Sequence, residues 1–252
     1  MVESEPSARE EPLAVFDVDG TLFRRGLLPA LTRRLVDEGV FSERVREELS
    51  RDYYAWVERR GSYETYDELV MELFLRELEG VSVAELRRCA TVEVEAHGRR
   101  LHMYTRDMAR RLKQAGYHLI AISGSPQEIL DLVLKPLGFD RSWGTVLAQD
   151  DRGRYTGKVL QDPFKNKRQV LEMFLEDAGV NLEGSVGMGD TLSDIGFLEM
   201  VQTPIAFNPN RSLFEAARRW NWPIVVERKD VIYNLQTRLE DPVLKEGTVW
   251  VG

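Results

Sequence analysis

Residues 12–23, PLAVFDVDGTLF, run four apolar side chains, Leu13 to Phe16, straight into Asp17 and Asp19 and then Gly20. A short apolar run closed by turn residues reads as a buried strand. Burying charge is costly unless it is paired or bound to a cation, so acids at the end of such a strand imply chemistry there. In extended backbone residues i and i+2 point to one side, so Asp17 and Asp19 are expected to face one spot beyond the strand. Gly20 permits a bend that other residues resist. A plain Asp/Gly turn also accounts for these residues. An EF-hand does not, because Leu22 and Leu28 stand where that loop needs glycine and glutamate.

Working outward, similar apolar runs recur at HLIAI (118–122), SVGM (185–188), PIAF (204–207) and PIVV (223–226). Helical patterns separate them at 126–138, 165–179, 191–200 and 211–220. In the second of these, Val170, Phe174 and Ala178 share a face, with Leu171 and Leu175 beside it. Apolar strands alternating with helices predict an α/β fold, a parallel sheet covered on both faces. Residues 26–100 hold no strand pattern and read as several helices, with stripes at Val45, Leu49, Tyr53 and Trp56 and at Tyr66, Leu69, Val70, Leu73 and Phe74. Residues 144–160 read as a hairpin around Asp151, Arg152 and Gly153. The expected organisation is a core of 12–25 and 101–228, a helical insertion of 26–100, and a C-terminal extension, 229–252, packed on the core.

The composition narrows the function classes. A net charge of −8 leaves no electrostatic footprint for nucleic acid and argues against an anionic membrane as partner. One cysteine, Cys89, rules out an intramolecular disulfide and a thiolate-built metal site. No run is long enough to span a bilayer, and the acidic start MVESEPSAREEP reads as a disordered tail, the reverse of a secretory signal. A cytoplasmic protein is expected.

Three further elements could join the first strand. SVGMGDTLSD again ends an apolar strand in acids, Asp190 and Asp194, and two acid-ended strands make a Mg²⁺ site plausible. Asp194 also suits the first turn of a helix starting near Thr191. In AISGSP, Ser123 and Gly124 precede a helix beginning at Pro126, where a hydroxyl and free N–H groups form an anion site; a simple N-cap explains the serine equally. Lys165 and Lys167 open the helix before SVGMGD, against the preference of the helix dipole, which suggests an anionic partner, although a solvated surface lysine is the commoner case.

In this order, DVDGTL, AISGS, a helix-borne lysine and GDTLSD resemble the haloacid dehalogenase superfamily of phosphatases, over residues 13 to about 200. The insertion after the first motif resembles the cap of its phosphoserine-phosphatase-like subfamily, as do DRGRYTGKV and IAFNPNRSLFEAARRWNWPIV. The resemblance implies a Rossmann-like core and a Mg²⁺-dependent phosphatase acting on a small phosphorylated metabolite. Asp17 would be the nucleophile that becomes a phosphoaspartate, and Asp19 the general acid and base. Mg²⁺ would be held by Asp17, Asp190 and the backbone carbonyl of Asp19. Ser123, Gly124 and a lysine would hold the phosphoryl group; family spacing favours Lys167, with Lys165 and Lys158 as fallbacks. Asp194 would support the metal or the lysine.

The second acid, Asp19, points to phosphate rather than halide chemistry. A phosphotransferase or phosphomutase with the same nucleophile is the alternative. Phosphoserine phosphatases place a glutamate nine residues after the nucleophile, where this chain has Gly26, so phosphoserine is in doubt. Arg24 and Arg25 would suit an acidic substrate, or equally are a solvated pair; Tyr53, Tyr54, Trp56, Tyr63 and Tyr66 would suit a cationic head group, or simply the core of the insertion. Substrate identity and oligomeric state stay open at this level.

Overall fold

A computed structural model describes residues 11–60, 63–178 and 180–235, apart from the side chains of Tyr63 and Glu64; the N-terminal stretch 1–10 and most of the C-terminal extension, 236–252, lie outside the described residues. The strands are β1 (Leu13–Phe16), β2 (His118–Pro126), β3 (Arg141–Gln149), β4 (Tyr155–Gln161), β5 (Val186–Gly189), β6 (Thr203–Phe207), β7 (Ile224–Arg228) and β8 (Val231–Asn234). They form one eight-stranded sheet in the order β4-β3-β2-β1-β5-β6-β7-β8. Pairing is parallel from β3 to β7 and antiparallel at both edges, β3–β4 and β7–β8.

Why β1 is apolar throughout is visible in its packing. Ala14 and Phe16 face one side of the sheet, and Leu13 and Val15 the other, all fully buried. β2 repeats the division, with Leu119 and Ala121 on the first side and Ile120 and Ile122 on the second. A central parallel strand has no solvent face, so both its side-chain rows are apolar. Helices α5 (Met103–Gln114) and α6 (Gln127–Leu134) cover the first side. Helices α7 (Lys167–Ala178), α8 (Ile195–Leu198) and α9 (Arg211–Trp220) cover the second.

Between β1 and α5 come α1 (Leu27–Asp37), α2 (Glu43–Val57), α3 (Tyr63–Leu78) and α4 (Val83–His97). Their buried face, including Leu31, Leu35, Val45, Leu49, Val70 and Phe74, is continuous with the core on the first side of the sheet. Ser82 and Glu85 form a reciprocal capping box that starts α4. The unit enters and leaves through one short junction, where Arg24 N–H donates to the Arg100 carbonyl at 2.9 Å and Phe23 bridges Leu101. It is also joined to the β3–β4 hairpin: Gly80 N–H donates to Tyr155 O at 2.8 Å, Tyr155 N–H to Val81 O at 2.9 Å and Val83 N–H to Gly153 O at 3.0 Å.

Three local readings change. The hairpin's first strand starts at Arg141, because its opening residues pair in parallel with β2 before β4 is reached. β8 adds a strand beyond residue 228; its four residues are mostly exposed and carry no apolar contrast to read. On α7 the buried face is Lys167, Leu171 and Phe174, while Ala178 is exposed.

Candidate active site

The site forms at the carboxyl ends of β1, β2 and β5, where an open α/β sheet places its ligands. Asp17 is the first residue past β1, and its N–H donates to the Met188 carbonyl of β5 at 2.9 Å, which seats it between the two strands. Lys167, the first residue of α7, projects from the opposite wall. Its Nζ lies 2.6 Å from Asp17 Oδ1 and 2.6 Å from Asp194 Oδ1, with all three side chains almost fully buried. The dipole argument for a lysine with an anionic partner therefore finds its physical basis: the charge is set between two carboxylates. Lys165 is exposed and paired with Asp162 at 3.3 Å, and Lys158 is exposed on β4.

Asp194 is committed by hydrogen bonds. Its Oδ2 accepts the N–H groups of Asp190 and Thr191, both at 2.9 Å, and the Thr191 hydroxyl at 3.2 Å. Gly189 allows this approach, since a Cβ there would lie 2.4 Å from Asp194 Cβ. Among the described residues the Asp190 carboxylate has only a distant contact, the Thr21 hydroxyl at 3.5 Å from Oδ1. It is wedged against Gly20, whose φ of +90° suits glycine and where a Cβ would fall 2.0 Å from Asp190 Oδ2. The glycine of the opening motif thus serves a bend and leaves room for an acid from another strand.

Asp19 is held on all sides. Ser123 Oγ donates to its Oδ2 at 2.5 Å, Ser125 Oγ lies 2.9 Å from Oδ2 and 3.0 Å from Oδ1, and the Leu27 N–H donates to Oδ1 at 2.6 Å. Leu27 is the first residue of α1, whose N-cap is Gly26 with no side chain to cap it. Asp19 caps that helix instead, a favourable place for a carboxylate. Ser125 was not among the candidates, yet SGS at period two puts Ser123 and Ser125 on one side of β2, and that spacing was the available signal.

The electrostatics are unbalanced. Burial, opposed by the Lys167 charge and helped by the Asp194 and Asp19 carboxylates, pushes the Asp17 carboxyl up to about 7. Burial, then the Asp17 and Asp194 carboxylates and, more weakly, Asp19, raise Asp190 well above the usual carboxylate range against the pull of Lys167. For Lys167, burial would lower the ammonium, but Asp17 and Asp194 hold it above its ordinary value. Asp17 Oδ2 is buried with no hydrogen-bond partner, and Asp17, Asp190 and Asp194 offer oxygens all within 4.8 Å of one another. An orphaned carboxylate oxygen beside an under-paired acid is a donor set suited to a hard divalent cation. Since Asp194 is saturated, Asp17 and Asp190 are the side chains that fit such an ion.

The remaining candidates separate. Arg24 sits at the junction of insertion and core: Nη2 lies 2.6 Å from Glu227 Oε1, and Nε donates to Leu101 O at 3.0 Å. Glu227 also receives the Tyr104 N–H at 2.8 Å and His102 Nδ1 at 3.3 Å. Nothing in the sequence marked it, because it lies 203 residues from Arg24. Arg25 points the other way and lines a cavity between α1 and α2. Tyr53 packs edge-on against Tyr54, Trp56 and Tyr66; the Tyr63 side chain lies outside the described residues. Phe164, also unforeseen, stands half-exposed beside the site, close against Gly124 and 5.9 Å from Lys167 Nζ.

Comparison with known proteins agrees with this architecture. The family model described as haloacid dehalogenase-like hydrolase matches residues 14–199. A phosphoserine phosphatase of Archaeoglobus fulgidus is 28% identical over 83% of this chain, which spans 56% of that protein's length. A histidinol-phosphatase of Neisseria meningitidis is 26% identical over 84% of this chain and 97% of its own. A solved phosphoserine phosphatase, as an analogue of its phospho-aspartyl intermediate, superposes with a TM-score of 0.59 at 22% identity, covering 88% of this chain and 96% of that one. The strand-end acids, the buried lysine and the matched motifs together make this chain a member of the haloacid dehalogenase-like hydrolases.

Proposed function

We propose that the protein is a Mg²⁺-dependent phosphatase that hydrolyses a small phosphomonoester through a phosphoaspartate on Asp17. One observation carries this reading: buried Asp17 has one oxygen on Lys167 and the other without a partner, at the meeting point of three strand ends. Asp17 and Asp190, with the Asp19 backbone carbonyl, would hold the cation. When bound, it would offset negative charge on the phosphoryl group and on its ligand acids.

The chain's own residues do the rest. A carboxylate oxygen of Asp17 attacks phosphorus and the bond to the ester oxygen breaks, while Asp19 gives that oxygen its proton. Asp19, now a carboxylate, takes a proton from water as the water oxygen attacks phosphorus and Asp17 is released. Lys167 holds charge near the reacting group, and Asp194 fixes the Lys167 ammonium in place. The Gly124 backbone would bind phosphoryl oxygens, joined by Ser123 once its hydroxyl turns from Asp19, to which it donates here. The inserted helices act as a cap over the strand ends. A cytoplasmic location belongs to the same reading; Cys89 is a free, buried thiol, and no helix among the described residues is long and apolar enough to cross a membrane.

The test is release of inorganic phosphate from a panel of phosphomonoesters with Mg²⁺, with Asp17→Asn alongside. Wild type is expected to turn over, and the variant to lose about 10⁴-fold or more, above roughly 5 kcal/mol of barrier. A variant within tenfold of wild type rules out the covalent step. Phosphate found on an added alcohol instead of in solution moves the assignment to a phosphotransferase.

A further inference from the structure

The cap contains a cavity of 290 Å³ between α1 and α2, lined by Arg25, Arg33, Arg46, Val36, Leu49 and Tyr53 among others. No carboxylate lines it. Arg46 is matched outside the cavity by Asp37 at 2.8 Å and Glu43 at 2.9 Å. Arg25 and Arg33 form no ion pair among the described residues. Arg33 is half-buried, donates to the Tyr66 hydroxyl at 3.2 Å, and rests 5.9 Å from the centre of the Tyr53 ring. In a chain of net charge −8, these are two uncompensated guanidinium groups in one concavity.

One residue lining the cavity stands close in the chain to the proposed acid. Arg25 is two residues from Leu27, whose N–H is 2.6 Å from Asp19 Oδ1. At about 3.8 Å per residue the arginine backbone lies within roughly 8 Å of that amide. Gly26, between them, adds neither bulk nor charge. Asp19 is the group proposed to protonate the leaving oxygen, so the rest of the leaving group must extend past it. Arg24 and Arg25 divide the work of the junction, the first turned to Glu227 and the second to the cavity.

The aromatic cluster does not make this a site for a cation. The Tyr53 face is already taken by the Arg33 guanidinium, and Tyr54, Trp56 and Tyr66 pack edge-on around Tyr53. An ammonium group entering here would meet two like charges. A carboxylate or phosphate would meet two guanidinium forks, which bind such groups bidentately.

We infer that Arg25 and Arg33 read an anionic group on the leaving portion of the substrate, so that the preferred substrate is a phosphomonoester carrying a second negative group. This rests on the phosphatase reading above. A matched set of probes tests it: phenyl phosphate, its 4-carboxy and 4-phosphoryloxy derivatives, and its 4-aminomethyl derivative, each measured with wild type, Arg25→Ala and Arg33→Gln. Comparing each anionic probe with phenyl phosphate across variants cancels intrinsic leaving-group reactivity. The ratio of kcat/KM for the anionic over the neutral probe is expected to fall about tenfold or more in each variant, the scale of a lost charge-assisted contact. The carboxy and phosphoryloxy arms separate the two anion types.

Binding of the same esters to Asp17→Asn by calorimetry, with and without each arginine change, reads the preference without turnover. Wild-type preference for the aminomethyl ester, or ratios unmoved by both variants, overturns the inference. If Arg33→Gln lowers the melting temperature, the exposed Arg25 decides alone. Absence of phosphate release from every ester while the binding preference persists would instead count against the phosphatase reading.

Discussion

Asp19 accepts hydrogen bonds from Ser123, Ser125 and Leu27, and so it is fixed in direction as well as position. A proton donor must reach the leaving oxygen at hydrogen-bond distance, and this three-point grip would supply that constraint in the proposed mechanism. Asp19→Asn keeps the shape but can neither give nor take the proton. Turnover of an alkyl phosphate is expected to fall by about 10²–10⁴-fold, the usual worth of general acid–base catalysis. The loss should be smaller for 4-nitrophenyl phosphate, whose leaving group needs no proton. Parallel kcat measurements on the two esters check this, and equal losses would argue against the acid role. Asp17 and Asp19 were legible at this scale because the motif is local. Ser125 and Phe164 were not, because a serine and an exposed phenylalanine acquire a role only from what lies opposite them.

Strand β7 contributes a residue with an outsized structural part. Glu227 gathers Arg24, His102 and the Tyr104 amide, so both chain connections between cap and core meet on one buried carboxylate. Burial would raise this acid, but hydrogen bonds from His102 and from the Tyr104 and Met103 amides hold it at about 2, below its ordinary 4.5. A depressed carboxyl contributes stability that is fully present above 4.5 and is lost as pH falls through about 2. Glu227→Gln should therefore cost about 2 kcal/mol at pH 7, or roughly 4–8 °C in melting temperature for a chain of this size. The gap between wild type and variant should narrow as pH falls below 4.5. Melting curves at pH 7 and pH 3 test it; an equal gap at both would mean the carboxylate charge contributes nothing. The strand itself was readable from PIVV, but the partners of Glu227 depend on β7 lying beside β6 and under the junction.

For the molecule as a whole, the inserted helices are tied both at their two-strand junction and at the β3–β4 hairpin, so any opening of the proposed cap would have to carry the hairpin with it. Asp17, Asp190 and Asp194 gather within 4.8 Å of one another at Lys167, which pairs with Asp17 and Asp194. Like charges gathered in a buried place would be relieved by a bound cation. Adding Mg²⁺ at about a hundred times its dissociation constant should stabilise the fold by about 2.7 kcal/mol, seen as a rise of several degrees in melting temperature. Asp190→Asn should abolish most of that rise while folding normally. A melting temperature indifferent to Mg²⁺ in wild type would remove the metal from the proposal.

The sequence by itself determined the α/β alternation, the helical insertion after the first strand and the acids at strand ends. Each is written in local periodicity and in short motifs whose residues lie within a few positions of one another. The helix dipole singled out Lys165 and Lys167 as lysines at a helix start, and the spacing of the family the chain resembles favoured Lys167 over Lys165 and Lys158. Only the tertiary structure decided that Lys167 bridges Asp17 and Asp194, that Asp19 caps α1, that Arg24 belongs to Glu227 and that Arg25 turns to the cap cavity. Those pairings join residues 8 to 203 positions apart. Which charge finds which partner across such distances is settled by the order of strands in the sheet and the packing of helices upon it, and no local pattern carries that information.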